Sequence, residues 1–434
     1  MIPETTLAPS PQTASLPERR AALRHAYTVC RQGTLALFAG VDEICFRRQV
    51  HPEFSPLGWH LGHIAYTEAL WLVAKHGGRP LPHPELERTF SVDGLKKSER
   101  VNIPPIGDVL DYAQAVRKAV FECLDTAALD ERERLWRFVL QHECQHTETV
   151  AFLKNLIAQD GLSEVPRSII ELDLGTGPIC RPRSPENDLV PVPGGPVNVG
   201  LDGPDAMDNE RPAHQVFIDD FRVGAAPVTQ AEYRAFMEAG GYQDRRHWSA
   251  AGWAWREAEN ILMPLYWEAA RDDGPVCGVS CHEAEAYCSF AGLRLPTEAE
   301  WEKAAAWNPA LDRGFGYPWG EEPPDAVLVN CDNWDGGTSP VGSRPAGRSA
   351  YGAEDMLGNV WEWTGTPFAP YPGFAPFPYE GYSQAYFDGE HRVLRGGSWA
   401  TRPWALRTSF RNWYVPETRQ VLAGFRCAKD GLED

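Results

Sequence analysis

Apolar residues recur with a helical period in four long segments within the first 160 residues. Each segment places apolar side chains near positions i, i+3, i+4 and i+7, which is the pattern of an amphipathic helix. The four segments span 16–37, 57–76, 107–125 and 129–159. Helices of this length bury their apolar stripes against one another, so the pattern predicts a four-helix bundle over residues 16–160. The irregular stretch at 77–106 is long enough to predict a functional or mobile loop.

The periodicity fades after residue 160, and Pro, Gly and charged residues dominate from 175 to 195. This composition predicts a linker over 161–190 and a second domain over 191–430. In that domain Gly, Pro, Trp and Asn are frequent, and helical patterns are confined to 228–239, 281–291 and 297–307. We expect a loop-rich domain with modest sheet content, and therefore an α+β fold class. Residues 1–15, rich in Pro, Thr and Ser, predict a disordered tail.

The chain is acidic, with 41 Lys and Arg against 60 Asp and Glu and a formal charge of -19. Such a surface repels phosphate backbones and anionic membranes, so we expect no nucleic-acid or membrane partner and favour small neutral or cationic ligands. The N-terminus lacks the basic start and apolar core of a secretory signal, which predicts a cytoplasmic protein. The ten cysteines contain no CxxC pair and suit reduced thiols. The oligomeric state is left open.

The densest group of chemically active residues is the segment 141–146. His142 and His146 stand at i and i+4 on one helical face, about 6 Å apart, so both imidazoles can reach one ion. His63 is the leading candidate for a third ligand, because it continues an apolar stripe where an imidazole without a partner would be costly. His60 on the same helix stays an alternative inward-facing residue.

Three neutral imidazoles on a ferrous ion would leave positions open for O2 and substrate. Because no carboxylate would balance the charge, the site would favour an anionic co-substrate such as a thiolate or selenolate. A second hypothesis is a zinc hydrolase, because His142, Glu143 and His146 satisfy the HExxH pattern in which the glutamate is the general base. A third is a ligand-binding protein whose helical bundle is only structural. A zinc site at Cys277 and Cys281 is disfavoured, since no second pair lies at zinc-ribbon spacing.

Two groups of motifs resemble known families. The segment 55–64, followed by 142–146, resembles the DinB-like bundle of sulfoxide synthases in ergothioneine biosynthesis. The second half is similar to the formylglycine-generating-enzyme fold, a C-type-lectin-like domain. Its motifs lie at 227–229, 294–302, 317–320, 358–363, 394–399 and 424–426. The two halves in this order are specific to the sulfoxide synthases and the related selenoneine synthases.

The resemblance implies an Fe(II)- and O2-dependent enzyme that joins sulfur or selenium to the imidazole carbon of hercynine, the Nα-trimethylated histidine. It assigns the iron to His63, His142 and His146 and a hercynine contact to Gln145. The small-molecule partners would be hercynine, O2 and a thiol or selenosugar donor.

In the second domain the resemblance implies that Asn412 lines the substrate pocket. Trp413 and Tyr414 beside it offer aromatic faces of the kind that hold a trimethylammonium group. Tyr379 and Tyr382 are the candidates for a tyrosine that donates a proton in the oxygen chemistry, with Tyr379 preferred.

The sulfur or selenium donor is where this chain departs from the pattern. Relatives that use γ-glutamyl-cysteine carry two arginines that here read Lys97 and Arg100, and lysine lacks the bidentate fork that grips carboxylates. Relatives also often carry an acid in place of Tyr414. The weakened carboxylate clamp favours a neutral selenosugar over a dipeptide, and cysteine itself is a further alternative. Formylglycine formation is not expected, because 395–426 contains no cysteine and Cys427 stands alone.

Overall fold

The computed structural model describes residues 14–160, 188–267 and 271–432. The chain divides into two compact units, 1–166 and 167–434, called here the helical unit and the second unit. Most of the predicted tail (1–15) and of the predicted linker (161–190) lies outside the described residues. Ser15, the last residue of that tail, is the N-cap of the first helix, where its backbone N–H donates to Glu18 Oε2 at 2.7 Å.

Within the described residues, the helical unit is built from four long helices and two short ones. They are α1 (Leu16–Leu37), α2 (Glu43–Arg47), α3 (Leu57–Glu68), α4 (Glu87–Phe90), α5 (Ile106–Leu124) and α6 (Leu129–Asp160). The four predicted helices are confirmed. The second one differs at its end, because Ala69–His76 continues α3 as a π-helix, and two turns of apolar pattern are too few to distinguish the two periods. The irregular stretch after it contains 3₁₀ turns at Pro84–Leu86 and Lys97–Glu99.

Helix α3 is the central element of this unit, because all 12 of its residues are buried and it packs against α5 and α6. Glycines make this close packing possible. A methyl group at Gly62 would overlap the ring of Phe90, and one at Gly58 would overlap Phe46. The absence of a side chain at Gly62 therefore lets α4 approach the part of α3 that carries His63.

The second unit combines short strands, short helices and long connections. Its helices are α7 (Gln230–Glu238), α8 (Ala250–Ala258), α9 (Cys281–Phe290) and α10 (Glu298–Ala306). Its strands are β1 (Leu189–Val192), β2 (Gly195–Val199), β3 (His214–Ile218), β4 (Phe221–Gly224), β5 (Trp307–Asn308), β6 (Arg313–Gly314), β7 (Trp361–Pro367), β8 (Arg392–Arg395), β9 (Asn412–Tyr414), β10 (Ala423–Gly424) and β11 (Ala428–Asp430). The first two residues of β1 are the last two of the predicted linker.

Among the described residues of this unit, the strands form two main sheets and two hairpin-like pairs. A three-stranded antiparallel sheet has the order β1-β4-β11, and a four-stranded sheet has the order β10-β7-β8-β9. In the larger sheet β10 and β7 are parallel, and the other neighbours are antiparallel. Strand β9, which contains Asn412, Trp413 and Tyr414, is therefore at the edge of this sheet. The modest sheet content and the α+β class are as predicted.

Three of the family-like motifs meet in the core of the second unit. Trp301 of α10 donates its indole N–H to Glu362 of β7 at 2.7 Å. Arg426 binds the same carboxylate through two nitrogens, at 2.6 and 2.7 Å. All three side chains are buried, so these motif residues hold the fold together and are not part of a binding surface.

The sequence did not predict α8. Ser249 caps it by accepting the Gly252 N–H at 3.1 Å. Its nine residues are too few for the apolar pattern of Ala, Gly and Trp to be recognised as a helix from the sequence. The other three helices of the second unit were predicted to within two residues at each end. No helix in the described part of the chain is long and apolar enough to cross a membrane. The cytoplasmic location stays a prediction.

Candidate functional site

Three histidines of the helical unit converge on one point. His63 lies on α3, whereas His142 and His146 lie one turn apart on α6. Their ring centroids are separated by 4.5 to 5.1 Å, and one ligand nitrogen from each lies within 4.8 Å of the others. Among the described residues, this histidine cluster is the one group of His, Cys and acidic side chains with spacing suited to a metal ion.

The proton position on His63 follows from its partner. Its Nδ1 lies 2.7 Å from the backbone oxygen of Phe90, at the end of α4. Because a carbonyl oxygen can only accept, Nδ1 carries the proton and Nε2 keeps its lone pair. A backbone carbonyl behind one nitrogen is the usual way in which a protein fixes the tautomer of a metal-binding histidine. Trp59 stacks on the same ring at 4.5 Å and further restricts its orientation.

The electrostatics of the cluster keep its imidazoles neutral. Burial lowers the pKa of His63 to about 4, although the Phe90 carbonyl acts in the opposite direction. Burial also holds the pKa of His142 and of His146 well below the ordinary value, and the neighbouring histidines add to the effect. Neutral imidazoles present lone pairs to a metal ion, so the cluster needs no proton release at neutral pH.

The donor atoms fit a transition-metal ion. The Nε2 atoms of His142 and His146 lie 3.2 Å apart. Two nitrogens that are each about 2.1 Å from one ion would lie roughly 3.0 to 3.4 Å apart in octahedral to tetrahedral geometry. His63 and His142 are only 5% and 6% exposed and His146 is half-buried, so most of this donor set is shielded from solvent.

Glu143 belongs to a different environment from its neighbours in sequence. Its Oε1 accepts from Arg31 Nε at 2.7 Å and from Thr34 Oγ1 at 2.6 Å, and its Oε2 accepts from Arg117 at 2.8 Å. Glu68 binds the same two arginines, which completes a buried ion network of Arg31, Glu68, Arg117 and Glu143. Burial alone would raise the pKa of Glu143, but the arginines outweigh it and lower the pKa to about 2.

This arrangement argues against the zinc-hydrolase hypothesis. A general base must lie within hydrogen-bond reach of the proton that it abstracts and needs a pKa near the working pH. Glu143 has its two oxygens bonded to Arg31, Thr34 and Arg117, and its pKa is low. The glutamate at this position of the HExxH pattern therefore connects neighbouring helices and does not act as a general base.

The predicted donor-binding residues have protein partners of their own. Lys97 Nζ lies 2.7 Å from Glu53 at the surface. Arg100 is buried; its nitrogens donate to Leu95 O at 3.2 Å, Ser55 Oγ at 2.8 Å and Val92 O at 2.6 Å. Its guanidinium also covers the ring of Trp59 at 4.0 Å. Arg100 therefore braces the layer that stacks on His63, a structural role that sequence reasoning missed.

In the second unit, the structure brings Trp413 and Tyr382 together. The Trp413 ring stacks on Phe368 at 4.4 Å, and Tyr382 and Tyr386 contact it at 5.7 and 5.6 Å. We call these four side chains the Trp413 cluster. Tyr382 is 6% exposed, whereas Tyr379 is 39% exposed.

The remaining candidate substrate-binding residues, Asn412 and Tyr414 of β9 and Gln145 of α6, are partly exposed. Asn412 Oδ1 accepts the backbone N–H of Trp413 at 2.9 Å, and the side chain is partly exposed. Tyr414, at the other end of the strand, pairs with Arg392 in the sheet register and is also partly exposed. Gln145, on α6 next to His146, is partly exposed as well.

A buried 3₁₀ turn, Asp208–Glu210, holds the segments that carry these aromatic residues. Asp208 accepts from Ser383 Oγ at 2.5 Å and from the Phe377 backbone N–H at 3.2 Å. Glu210 accepts from Arg407 Nε at 2.8 Å and from Ser409 Oγ at 2.7 Å. All residues of the turn are fully buried. A short polar run gives no signal of burial in the sequence, so this anchor was not predicted.

The prediction that Cys427 stands alone was wrong. Its Sγ lies 3.6 Å from Sγ of Cys288 on α9, and both side chains are buried. Burial raises the pKa of Cys288 well above its ordinary value, and Cys427 adds to this effect. A buried thiol whose pKa is raised, such as that of Cys288, is a poor nucleophile, so this contact gives no support for formylglycine chemistry.

Comparison with known proteins assigns a family to each half. Residues 26–150 match the model of the DinB superfamily. Residues 178–431 match the model of the sulfatase-modifying factor enzyme 1-like domain. The two matches follow the order expected from the sequence motifs.

Full-length relatives combine the same two halves. The chain is 42% identical over 436 residues to the hercynine oxygenase of Mycolicibacterium smegmatis, covering 95% of this chain and 99% of that protein. It is 43% identical over 438 residues to the hercynine oxygenase of Mycolicibacterium thermoresistibile, covering 95% of each. Among solved structures, PvdO from Pseudomonas aeruginosa is 27% identical, with a TM-score of 0.40, over 56% of this chain and 94% of that one.

Proposed function

Because this chain belongs to the hercynine oxygenase family, and is thus an oxidoreductase, we propose that it is an iron(II) enzyme that uses O2 to couple hercynine to a sulfur or selenium donor. The new bond would form at the imidazole carbon of hercynine, as in ergothioneine or selenoneine biosynthesis. In this chain the proposal depends on one observation. Three neutral imidazoles lie close together, whereas Glu143, which follows His142 in the sequence, is bound by arginines outside the cluster.

In this proposal His63, His142 and His146 hold the metal through their Nε2 atoms. The His63 proton faces Phe90 O, which leaves Nε2 as the ligand atom. Iron(II) bound there would supply coordination positions for O2 and the donor together with the capacity to exchange electrons. Three neutral ligands leave its charge uncompensated, which favours a donor that binds as a thiolate or selenolate.

Hercynine needs a group that orients its imidazole and a surface that accepts its trimethylammonium. Gln145 is the candidate for the first role, since it precedes His146 on α6 and its amide can both donate and accept hydrogen bonds. The Trp413 cluster is the candidate for the second, because aromatic faces attract quaternary ammonium groups. Asn412 and Tyr414 flank Trp413 and are proposed to contact the same substrate.

A tyrosine is proposed to donate the proton that directs the oxygen chemistry toward bond formation. Tyr379 remains the preferred candidate, because a side chain that is 39% exposed can meet a substrate without unpacking. Tyr382 is the alternative, although it packs edge-on against Trp413.

The nature of the donor is the least constrained part of the proposal. Lys97 and Arg100 would have to share a donor carboxylate with their present partners, since Lys97 pairs with Glu53 and Arg100 bonds to Ser55, Val92 and Leu95. A neutral selenosugar would not require this exchange. We therefore favour a selenosugar over γ-glutamyl-cysteine or cysteine.

The test is a donor panel under controlled oxygen. The protein is freed of metal, loaded with Fe(II) under nitrogen and mixed with hercynine and either cysteine, γ-glutamyl-cysteine or 1-selenoglucose before air is admitted. We expect hercynine-dependent O2 uptake and a coupled product, identified by mass spectrometry, with the selenosugar giving the fastest turnover. His142→Ala should show neither, and His25→Ala, at an exposed position of α1, should behave as the unaltered protein.

Two outcomes would contradict different parts of the proposal, the first the function and the second the choice of donor. If no donor supports O2 uptake, the assigned function is wrong. If cysteine or γ-glutamyl-cysteine is coupled faster than the selenosugar, the oxidative coupling stands and the selenium preference is wrong.

A further inference from the structure

His60 lies behind the histidine cluster and is not one of its three members. It precedes His63 by one turn of α3 and is 5% exposed. Its Nδ1 lies 2.9 Å from Nδ1 of His146. A contact between two identical nitrogens is a hydrogen bond only if one carries the proton and the other does not.

We propose that His60 is a positioning residue that accepts the Nδ1–H of His146 and thereby directs the Nε2 lone pair of His146 toward the metal. This inference rests on the proposed function, because it takes His146 as a metal ligand. From the sequence alone, His60 was only an alternative to His63 as a ligand. The inference instead assigns it the role of supporting the ligand His146.

The assignment follows from proton positions on the two rings. Nε2 of His146 lies 3.2 Å from Nε2 of His142, on the side of the ring that faces the cluster. A metal-binding Nε2 carries no proton, so the single proton of neutral His146 must reside on Nδ1. Nδ1 of His60 is then the acceptor, and the proton of His60 resides on its own Nε2.

The opposite assignment is incompatible with metal binding. If His60 donated from Nδ1, His146 would carry its proton on Nε2 and direct it at His142 instead of at an ion. That arrangement can hold the metal-free protein together, with a chain of hydrogen bonds from His60 through His146 to His142. Metal binding would then move the proton of His146 from Nε2 to Nδ1, and that of His60 from Nδ1 to Nε2.

The other ring nitrogen of His60 is compatible with this exchange. Nε2 of His60 is buried and makes no hydrogen bond of ideal geometry within the described residues, although the Ser55 backbone stabilises a proton on this ring. The metal-free arrangement leaves an acceptor at Nε2, and the metal-bound arrangement leaves a donor there.

Hydrogen-bond partners behind metal-binding histidines have a measurable effect. Their loss commonly weakens metal affinity by about 10- to 100-fold. His63 has such a partner in the fixed carbonyl of Phe90, whereas that of His146 is the side chain of His60. His146 is consequently the ligand whose support can be removed by one substitution.

The experiment compares His60→Leu with His60→Asn in the full-length protein. Asparagine places its Oδ1 near the position of histidine Nδ1 and can accept the same hydrogen bond, whereas leucine fills the space and cannot. The metal-free proteins are titrated with Co(II), and the visible absorption of the bound ion reports affinity and ligand geometry. Thermal unfolding by circular dichroism checks that both variants fold, and His25→Leu is the exposed control.

We expect His60→Leu to bind Co(II) about 10- to 100-fold more weakly with an altered spectrum, and His60→Asn to stay within a few-fold of the unaltered protein. Equal losses in both variants would overturn the inference in favour of a packing role, as would unchanged affinity in His60→Leu. A failure of the unaltered protein to bind Co(II) more tightly than His142→Ala would instead overturn the proposed function.

The tautomers can be observed directly by ¹⁵N NMR of histidine-labelled protein, with and without diamagnetic Zn(II). We expect His146 to report a protonated Nδ1, and His60 a protonated Nε2, in the Zn(II) form. A protonated Nδ1 on His60 in that form would overturn the inference even if the affinities agreed with it.

Discussion

The two units support their candidate residues in different ways. In the helical unit, the helical repeat of α6 sets the spacing of His142 and His146, and the packing of α3 against α6 brings His63 to them. In the second unit, Trp413 stands on an edge strand and Tyr382 in a long connection, and their positions depend on tethers from distant residues. The first arrangement is fixed by long helices and their packing, and the second by individual hydrogen bonds.

A buried carboxylate supports each arrangement, but one connects whole helices and the other connects a single segment. Glu143 joins α6 to α1 and α5 through Arg31 and Arg117, which fixes the rotation of the helix that carries two of the histidines. Asp208 joins its turn to the segment containing Tyr379 and Tyr382 through Ser383. Loss of the first should therefore disturb a whole bundle, and loss of the second should disturb one segment.

The largest effect is expected from Glu143→Gln. Removing one charge from a buried ion network leaves Arg31 and Arg117 incompletely neutralised, and breaking such a pair costs about 3 to 5 kcal/mol. We expect the free energy of unfolding of the helical unit, measured by chemical denaturation, to fall by about that amount. Oxidative coupling should persist in the fraction that remains folded.

Glu131→Gln is the matched control, because Glu131 is exposed in the first turn of the same helix. It should change the free energy of unfolding by less than about 0.5 kcal/mol. Full stability of Glu143→Gln combined with complete loss of activity would contradict the structural role and favour a catalytic glutamate.

Much of the helical unit could be predicted from sequence, because one periodic pattern encodes both the helices and the faces that they bury. The hydrophobic pattern could not distinguish between positions of a helix that is buried on every side. It could not choose between His60 and His63, since all 12 residues of α3 are buried and both side chains point into protein. Which of the two joins the cluster depends on three-dimensional contacts with Phe90 and His146.

The second unit was predictable in class and not in detail. Its sheets and three helices agree with the composition and patterns, but its supports join residues far apart in the chain. Ser383 and Asp208 are separated by 175 positions, and Cys288 and Cys427 by 139. No local pattern in a single sequence can pair such residues, so the turn at Asp208–Glu210 and the cysteine contact became evident only in the fold.

A smaller effect is expected from Asp208→Ala. The substitution removes the acceptor for the buried Ser383 Oγ and for the partly buried Phe377 N–H, and loss of an acceptor for a buried donor costs about 1 to 3 kcal/mol. Hydrogen exchange measured by mass spectrometry should accelerate in residues 377–383 and stay unchanged in the helical unit. Asp219→Ala, at an exposed position, is the control and should leave both regions unchanged.

Uniformly faster exchange throughout the second unit would contradict a local tether. It would mean that the Asp208–Glu210 turn supports the whole second unit, as the Glu143 network supports the helical unit. The two units would then differ only in how much stability each network contributes.

The smallest effects on stability, and the most informative on function, are expected from removing single hydroxyl groups. Tyr379→Phe should lower the free energy of unfolding less than Tyr382→Phe does, because Tyr379 is 39% exposed and Tyr382 is buried; for Tyr382→Phe we expect a loss of about 1 kcal/mol. If Tyr379 donates the proton, its loss should shift the product ratio from coupled hercynine toward oxidised donor, measured by mass spectrometry at equal O2 consumption. Tyr382→Phe should keep the original ratio. The opposite result, a changed ratio only in Tyr382→Phe, would assign the proton to the residue packed against Trp413 and make the Trp413 cluster part of the chemistry as well as of binding.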